Sequence, residues 1–299
     1  MNFVTPIHHL SPENFLPGAA KGNEFEQRLE QGQVLLLEPG LLQLPSENEM
    51  KFLREELAGT LTQKNISYHP HGDYLTGMKK DPVNHERTHK ILREHHHVVA
   101  PFLKRLLPDY QFDSGKVNFR PLEEQGRKLS VHASNERLHV DSMASGPTYG
   151  RRILRFFTNI HPTQIRIWKT AGRFPELFRE FAEAAELSHV DEDALRPWQS
   201  RRLYTRFLQW LGEHGLPQAE VVLNNPPYDR LMRRFHNFLK ENDAFQADVS
   251  RVEQLEFPPF SSWIVMTDMV SHSVVSGRHA LVNTFHVDLE DCQCPELAP

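Results

Sequence analysis

The pattern of apolar and polar positions predicts a strand and two helices in the first third of the chain. The run V-L-L-L at 34–37 ends at a Pro-Gly pair, as a short buried strand does. Ser46 is a suitable N-cap for a helix to about Ala58, because the apolar residues that follow recur near one face. Residues 82–107 predict a second amphipathic helix with its histidines on the exposed side. Residues 1–30 show no period and predict an extended arm.

Two β-prone regions frame a block with helical spacing. The runs R-R-I-L-R-F-F-T-N-I at 151–160 and S-S-W-I-V-M at 261–266 are rich in β-branched and aromatic residues. Between them, residues 163–250 carry three stretches whose apolar positions recur every three or four residues, which predicts helices. Two of these helices, at 201–211 and 228–240, flank their apolar face with arginines, a pattern that suits core packing or an anionic membrane surface.

Composition excludes some classes of function. A chain of 299 residues with a net charge of −5 lacks the basic excess of a nucleic-acid-binding protein. No apolar run is long enough for a transmembrane helix, and the N-terminus does not resemble a secretory signal, so we expect a cytoplasmic protein. The two cysteines, Cys292 and Cys294, fit a reducing compartment, and their Cys-x-Cys spacing is weak evidence for a soft-metal site.

Three residues far apart in the chain are candidates for one metal site. His139 and Asp141 are two apart, and in a strand this spacing directs both side chains to the same face. An imidazole and a carboxylate become a 2-His-1-carboxylate triad when a distant histidine joins them, and that triad is typical of non-haem Fe(II) oxygenases. His272 follows a β-like apolar run and precedes Arg278 by six residues, so it is the preferred third ligand. His279 and His286 could compete for that position.

A second metal motif competes with this interpretation. His85, Glu86 and His89 match H-E-x-x-H, in which two imidazoles one helical turn apart bind zinc and the glutamate acts as a general base. His95 has the spacing of a third ligand, but Leu92 occupies the position where a glycine would let the helix end. A zinc metallohydrolase is therefore an alternative, and a histidine-decorated helix is the simpler explanation. A binding module with an accidental triad is a third alternative.

The motifs resemble a known enzyme family. The segments R-L-H-V-D-S at 137–142 and G-R-R-I-L-R-F-F-T-N-I-H-P at 150–162 follow N-F-R-P-L-E-E-Q-G-R at 118–127. With the later H-x5-R, they resemble the Fe(II)/2-oxoglutarate-dependent dioxygenase superfamily and, more narrowly, its Kdo hydroxylase family. The resemblance implies a single α+β domain with a double-stranded β-helix, or jelly roll. Its expected parts are an arm at 1–30, a strand and helix lead-in at 31–115, core strands at 116–162 and 251–290, and a mainly helical insertion at 163–250.

The resemblance also implies cofactors and their ligands. His139, Asp141 and His272 would bind Fe(II), with 2-oxoglutarate and O2 as co-substrates and ascorbate as a reductant. Arg278 is the first choice to bind the distal carboxylate of 2-oxoglutarate. Arg155 is the second choice, and it shares a strand face with Asn159.

The implied substrate is the acidic sugar Kdo on a lipid A precursor, hydroxylated at the 3-position to give Ko in the inner core of lipopolysaccharide. Its acidic groups would be bound by cationic side chains, for which the candidates are Arg120, Arg127, Arg137 and Arg152. A lipid substrate would bring the enzyme to the cytoplasmic face of the inner membrane as a peripheral protein. Another small molecule or lipid would suit the same triad, and the sequence leaves the oligomeric state open.

Overall fold

The computed structural model describes residues 7–15, 23–79, 81–142, 148–187 and 227–294. The helices in these ranges are α1 (Glu24–Glu30), α2 (Glu47–Glu56), α3 (Pro82–Leu106), α4 (Phe174–Phe181), α5 (Pro227–Glu241) and α6 (Asp243–Ala247). The strands are β1 (Ile7–Leu10), β2 (Val34–Leu37), β3 (Ile66–His69), β4 (Tyr74–Thr76), β5 (Phe112–Arg120), β6 (Arg152–Asn159), β7 (Arg166–Thr170), β8 (Glu253–Phe257), β9 (Ser262–Met266), β10 (Ser273–Ser276) and β11 (Ala280–Val287).

The strands form a large sheet and a small sheet. The large sheet has the order β1-β2-β9-β6-β11-β5-β3-β4, and the small sheet has the order β10-β7-β8. The pair of β1 with β2 is parallel, whereas β5, β6, β9 and β11 pair antiparallel with their neighbours. Strands that follow one another in the chain thus cross repeatedly between the sheets, as a jelly roll requires. The predicted fold class is confirmed.

Aromatic side chains fill the space between the two sheets. Phe157 of β6 lies opposite Trp263 of β9 and Val282 of β11. Its ring meets that of Trp168, on β7 of the small sheet, with the centroids 4.9 Å apart. Because side chains alternate along a strand, Arg155 and Phe157 share this inner face of β6. The jelly-roll interior therefore contains both apolar rings and buried cations.

The other face of the large sheet packs against α3. Leu154 and Phe156 of β6 point to this side, where Phe102 meets Phe156 with ring centroids 6.1 Å apart. Val99 and Leu103 of α3 join the same apolar cluster at helical spacing. The amphipathic helix predicted at 82–107 is confirmed, and it seals one side of the barrel.

The described part of the insertion packs beside the H-x-D segment. Phe174 of α4 and Phe235 of α5 meet edge to face, with ring centroids 5.5 Å apart. Leu138 and Val140, which flank His139, belong to the same apolar cluster. The insertion helices thus lie against the segment that carries two predicted metal ligands. The helix predicted at 201–211 falls outside the described residues.

Three expectations differ from the structure. Residues 1–30 are not simply an extended arm, because β1 pairs with β2, and Leu29 of α1 is fully buried. The range 163–250 is not helical from its start, because β7 is a strand of the small sheet. The histidines of α3 do not all lie on its exposed side, since His95 and His96 are buried.

Within the described part of the chain, no helix is both long and apolar enough to cross a membrane.

Candidate metal centre

The structure brings the three predicted ligands together. One ligand atom from each of His139, Asp141 and His272 lies within 4.8 Å of the others, and all three residues are buried. The Nε2 atom of His139 is 3.7 Å from the Asp141 carboxylate, and that of His272 is 3.9 Å from it. Three side chains from distant parts of the sequence therefore enclose a space the size of one ion.

Backbone hydrogen bonds hold the three ligands in position. His139 and His272 form an isolated β-bridge, in which each N–H donates to the other residue's carbonyl at 3.1 and 2.8 Å. The N–H of Asp141 donates to the carbonyl of Thr267 at 2.8 Å. The H-x-D segment thus extends the small sheet beside β10, and the bridge places the two imidazoles side by side, with ring centroids 4.7 Å apart.

The imidazoles are oriented for coordination. Nδ1 of His139 lies 2.7 Å from the carbonyl of Arg137, and Nδ1 of His272 lies 3.1 Å from that of Val270. Since a carbonyl only accepts, each Nδ1 carries the proton and each Nε2 offers its lone pair towards Asp141. This contact to the second ring nitrogen is typical of metal-bound histidines.

The electrostatic environment favours the metal-binding protonation states. Burial lowers the pKa of His139 well below its usual value, and it also lowers the pKa of His272. Burial alone would raise the pKa of Asp141, but the nearby Arg155 guanidinium and the two imidazoles outweigh it and hold that pKa far below its usual range. Neutral imidazoles and an ionised carboxylate are the forms that ligate a metal.

The donor set fits ferrous iron. Two imidazoles and one carboxylate on one face of a metal leave further coordination positions open, and this set is diagnostic of non-haem Fe(II) oxygenases. The triad is the only group of three or more histidine, cysteine, aspartate or glutamate ligands within such reach in the described ranges.

A family comparison agrees with this geometry. The sequence profile of a family described as 3-deoxy-D-manno-oct-2-ulosonic acid (Kdo) hydroxylase matches residues 15–299. The chain belongs to the Kdo hydroxylase family. A comparison with curated protein sequences gave no significant match.

Solved structures of a Kdo hydroxylase share the fold. The Kdo hydroxylase KdoO, a non-heme Fe(II) alphaketoglutarate dependent dioxygenase, in complex with alphaketoglutarate and Fe(III) is 30% identical to this chain, with a TM-score of 0.77. The match covers 98% of this chain and 93% of that one. The cobalt(II) complex gives the same values, and the apo structure gives a TM-score of 0.76 at the same identity and coverage. This Kdo hydroxylase family member is an Fe(II)/2-oxoglutarate-dependent dioxygenase, as its motifs predicted.

The residues predicted to bind 2-oxoglutarate lie in different environments. Arg278 is exposed and follows Gly277 in the turn between β10 and β11. Arg155 is buried, with its guanidinium 3.0 Å from Asp141. Asn159 is part of a hydrogen-bond network between loops, because its amide donates to the carbonyls of Gln164, Phe257 and Pro258 and accepts from the N–H of His161. Its prediction is corrected to a structural role.

The four arginines predicted to bind substrate also separate. Arg120 and Arg127 lie 3.8 and 3.5 Å from the buried carboxylate of Glu124, beside the metal centre. Arg137 donates to the carbonyl of Lys240 at 2.7 Å and so ties the H-x-D segment to α5. Arg152 is corrected to a structural residue, because it is buried in an ion pair with Asp268 at 3.0 Å.

The competing metal motifs do not form a centre among the described residues. His89 contacts Asp73 at 3.0 Å, and Glu86 is exposed. His279 stacks on His161, and His286 is buried on β11, so neither occupies the position of the third ligand. The two tail cysteines are not joined in a disulfide.

Sequence reasoning missed four residues beside the triad. The Trp168 ring stacks on His272 with centroids 5.2 Å apart, and His236 of α5 meets His139 at 4.9 Å. Arg166 is buried on β7, and Lys240 is buried on α5. The alternation in R-I-W-K-T at 166–170 was a usable signal for Arg166 and Trp168. Nothing in the local pattern of α5 marks His236 or Lys240.

Proposed function

We propose that this enzyme hydroxylates the Kdo sugar of a Kdo-lipid A precursor at the 3-position, giving Ko, in the synthesis of the lipopolysaccharide inner core. The convergence of His139, Asp141 and His272 in a chain of the Kdo hydroxylase family carries this proposal. The 30% identity to KdoO over 98% of the chain supports the choice of substrate.

The protein contributes binding, orientation and exclusion of water. Bound Fe(II) would supply the oxidative chemistry, with 2-oxoglutarate and O2 consumed. His139, Asp141 and His272 would hold the ion on one face and leave its other face to the co-substrates. The Trp168 ring, which is 1% exposed, covers His272 and keeps water from that side of the centre.

Buried arginines are suited to the distal carboxylate of 2-oxoglutarate. The Nε atoms of Arg120, Arg155 and Arg166 are buried and have no hydrogen-bond partner among the described residues. Asp141 lies 3.0 Å from Arg155, and Glu124 lies 3.8 Å from Arg120. No described carboxylate lies within ion-pair distance of Arg166, whose guanidinium donates to the carbonyl of Gly277 at 3.0 Å. A buried guanidinium with free donors is stabilised by a bound carboxylate.

Arg166 also has a suitable position. It lies two residues before Trp168 on the same face of β7, and Trp168 stacks on His272. Ser273, next to His272, pairs with Lys169, so Arg166 lies further along β7 from His272 than Trp168 does, by about 7 Å for two residues of a strand. A five-carbon dicarboxylate that chelates the ion at one end would extend towards it. We therefore propose Arg166 in place of the exposed Arg278 for this contact.

The substrate proposal is tested by mass spectrometry. Purified protein with Fe(II), 2-oxoglutarate, ascorbate and air is incubated with Kdo-lipid A, and fragments of the Kdo region are measured. We expect one added oxygen atom with the wild type and none with His139→Ala. Wild-type protein that converts 2-oxoglutarate to succinate with another acceptor, but leaves Kdo-lipid A unchanged, would rule out this substrate.

The Arg166 assignment has its own test. Arg166→Met would remove a charge-assisted hydrogen bond of about 1.5 to 3 kcal/mol. We therefore expect its KM for 2-oxoglutarate to be about 10- to 100-fold higher than that of the wild type. Arg278→Met is the matched control and should keep the wild-type KM. The reverse result would restore Arg278 as the anchor.

We also propose a peripheral, electrostatic contact between α5 and anionic lipid. Leu231 and Phe235 of α5 are buried in the core, whereas Arg233 and Arg234 are exposed. Because the apolar face is used for packing, any contact would involve charge alone and would weaken with salt. Sedimentation with vesicles containing anionic lipid should show binding at low salt that Arg233→Gln with Arg234→Gln reduces. Equal binding by the double variant would exclude the contact.

A further inference from the structure

Lys240 is a buried cation with no direct ion pair to a carboxylate of the described residues. Its side chain is 2% exposed, and Nζ donates to the carbonyl of His132 at 2.8 Å. Among the described residues, no carboxylate oxygen lies within 4.0 Å of Nζ of Lys240, the distance limit of an ion pair. A buried charge is expensive unless it is paired, so a folded protein keeps one where an anion completes the site.

The position of Lys240 relates it to the metal centre. His236 lies one helical turn earlier on α5, and residues four apart share a helix face. The His236 ring meets the His139 ring at 4.9 Å, so this face of α5 is directed towards the triad. Asp141 acts electrostatically on the ammonium of Lys240, as does Lys64.

Hydrogen bonds hold this end of α5 in place. Arg137 donates to the carbonyl of Lys240 at 2.7 Å, and Nδ1 of His236 contacts the carbonyl of Val140 at 2.7 Å. Gln246 of α6 donates to the carbonyls of Leu138 and Leu239 at 2.9 and 2.8 Å. The ammonium therefore has a fixed place relative to the ligands, as a specific binding group needs.

The local charge balance calls for an anionic substrate. Two carboxylates, Asp141 and Glu124, interact with the cations of this region. Those cations are Lys64, Arg120, Arg127, Arg155, Arg166 and Lys240. With Glu123, which acts on Arg166, these electrostatic contacts join more cations than carboxylates, a surplus of positive charge. Fe(II) and the dianion of 2-oxoglutarate cancel each other, so they leave this surplus unchanged.

We propose that Lys240 binds an oxyanion of the substrate beside the metal, and that this oxyanion is the carboxylate of the sugar acid. The assignment rests on the proposed function and adds to it a recognition residue supplied by the insertion. A phosphate of the lipid offers similar oxyanion chemistry. The half-buried Lys64 reaches solvent and could meet such a second group, whereas the buried ammonium of Lys240 suits the group nearest the reacting carbon.

Equilibrium binding separates these sources. The protein is loaded with Co(II) and 2-oxoglutarate, and its Kd is measured for Kdo-lipid A, for the Kdo methyl ester and for the dephosphorylated lipid. We expect the wild type to prefer the acid over the ester by about 10- to 100-fold, the range of one charged hydrogen bond. In Lys240→Gln, which keeps a donor for the His132 carbonyl, that preference should fall to near unity.

Controls make each outcome decisive. Lys104→Gln removes an exposed charge from α3 and should leave the preference intact, and Lys240→Arg should retain most of it. If Lys240→Gln binds Co(II) more weakly than the wild type, the measurement is repeated with Lys240→Met in its place. An undiminished acid preference without the Lys240 charge overturns the proposal, as does loss of the phosphate preference alone. Acid-selective binding by a wild type that adds no oxygen would instead reject the proposed function and leave this contact standing.

Discussion

Each imidazole of the proposed metal site is oriented by a backbone carbonyl of its own segment. Nδ1 of His139 and Nδ1 of His272 both contact the carbonyl two residues earlier, in Arg137 and in Val270. The same local solution therefore appears on both strands of the β-bridge. Because the orienting group is backbone, substitution of a neighbouring side chain would leave the tautomer unchanged.

His272 and His286 make a matched pair for testing the third ligand. Both are buried histidines on or beside strands of the jelly roll, but only His272 lies within reach of Asp141. We expect His272→Ala to weaken Co(II) binding by at least about 100-fold and His286→Ala to leave it nearly unchanged, since a lost orienting partner alone costs 10- to 100-fold. Titration with Co(II), followed by visible absorbance, measures the metal affinity of both variants. Comparable loss in the two variants would show that general destabilisation, and not ligation, is being measured.

Glu26 predicts a pH dependence of stability far from the metal centre. Burial raises the pKa of Glu26 to about 7 from the ordinary 4.5, and this residue lies on the buried face of α1 with no exposed surface. Between these two values the folded protein keeps a proton that the unfolded chain loses. Through this group, the free energy of unfolding therefore falls as pH rises from about 4.5 to 7.

Glu26→Gln should remove this fall in the free energy of unfolding with rising pH. We expect its Tm at pH 8 to exceed that of the wild type by at least about 2 °C, with little difference near pH 4.5, as about 1 kcal/mol gives in a chain of this size. Glu38→Gln, at an exposed position, is the control and should follow the wild-type curve. Thermal melts across this pH range would contradict the assignment if the Glu26 variant were less stable at pH 8.

The H-x-D segment is held on both sides by different kinds of element. On one side it forms a β-bridge with His272, and on the other Gln246 both donates to the carbonyl of Leu138 and accepts from its N–H. The side-chain amide thus satisfies backbone groups that a further strand would otherwise pair. Helices of the insertion take the place of a strand at this edge of the small sheet.

Gln246→Ala tests this arrangement. Loss of the amide frees the Leu138 backbone and should weaken Co(II) binding by about 10-fold, as removal of a supporting contact does. Gln254→Ala, on the exposed face of β8, is the control. Unchanged metal affinity in the Gln246 variant would mean that the β-bridge alone positions the ligands.

The N-terminus of α2 offers a test of an element predicted from sequence. Ser46 and Glu49 form a reciprocal capping box, whereas Ser130 precedes a short 3-10 helix without a side-chain cap. Ser46→Ala should lower the free energy of unfolding by about 1 kcal/mol. Ser130→Ala should change it much less, and denaturant melts of equal slope would compare the two. An equal decrease in the free energy of unfolding in both variants would show that the capping box is not the cause.

At the scale of the whole molecule, the sequence predicted what short patterns encode. The H-x-D pair, the distal histidine, the strand at 34–37 and the helix capped by Ser46 all follow from period or motif and are present. Placement of the arginines could not be predicted in the same way, because strand alternation does not say which of many cations is buried. Arg166 lies over a hundred residues before Gly277, the neighbour of Arg278, yet donates to its carbonyl, a proximity that only the fold creates.

Ligand binding should stabilise the whole chain in two steps. The triad joins the H-x-D segment to β10, and Arg166 would join β7 to 2-oxoglutarate, so both ligands favour the folded state. At a ligand concentration of about 100 Kd, the gain is about 2.7 kcal/mol for each ligand. Thermal melts with Co(II), and then with added 2-oxoglutarate, should show successive rises in Tm. A second rise that persists in Arg166→Met would place the dicarboxylate elsewhere.

The contact between α6 and the Leu138 backbone constrains how this scaffold can change. The helices that carry the proposed substrate-binding Lys240 also brace the segment of the proposed metal ligands His139 and Asp141, so the two properties are coupled. Chimeras that import the insertion of a relative would bind the metal more weakly unless the import brings an amide at the place of Gln246. Diversification of acceptor range in such a scaffold is therefore limited by retention of its metal.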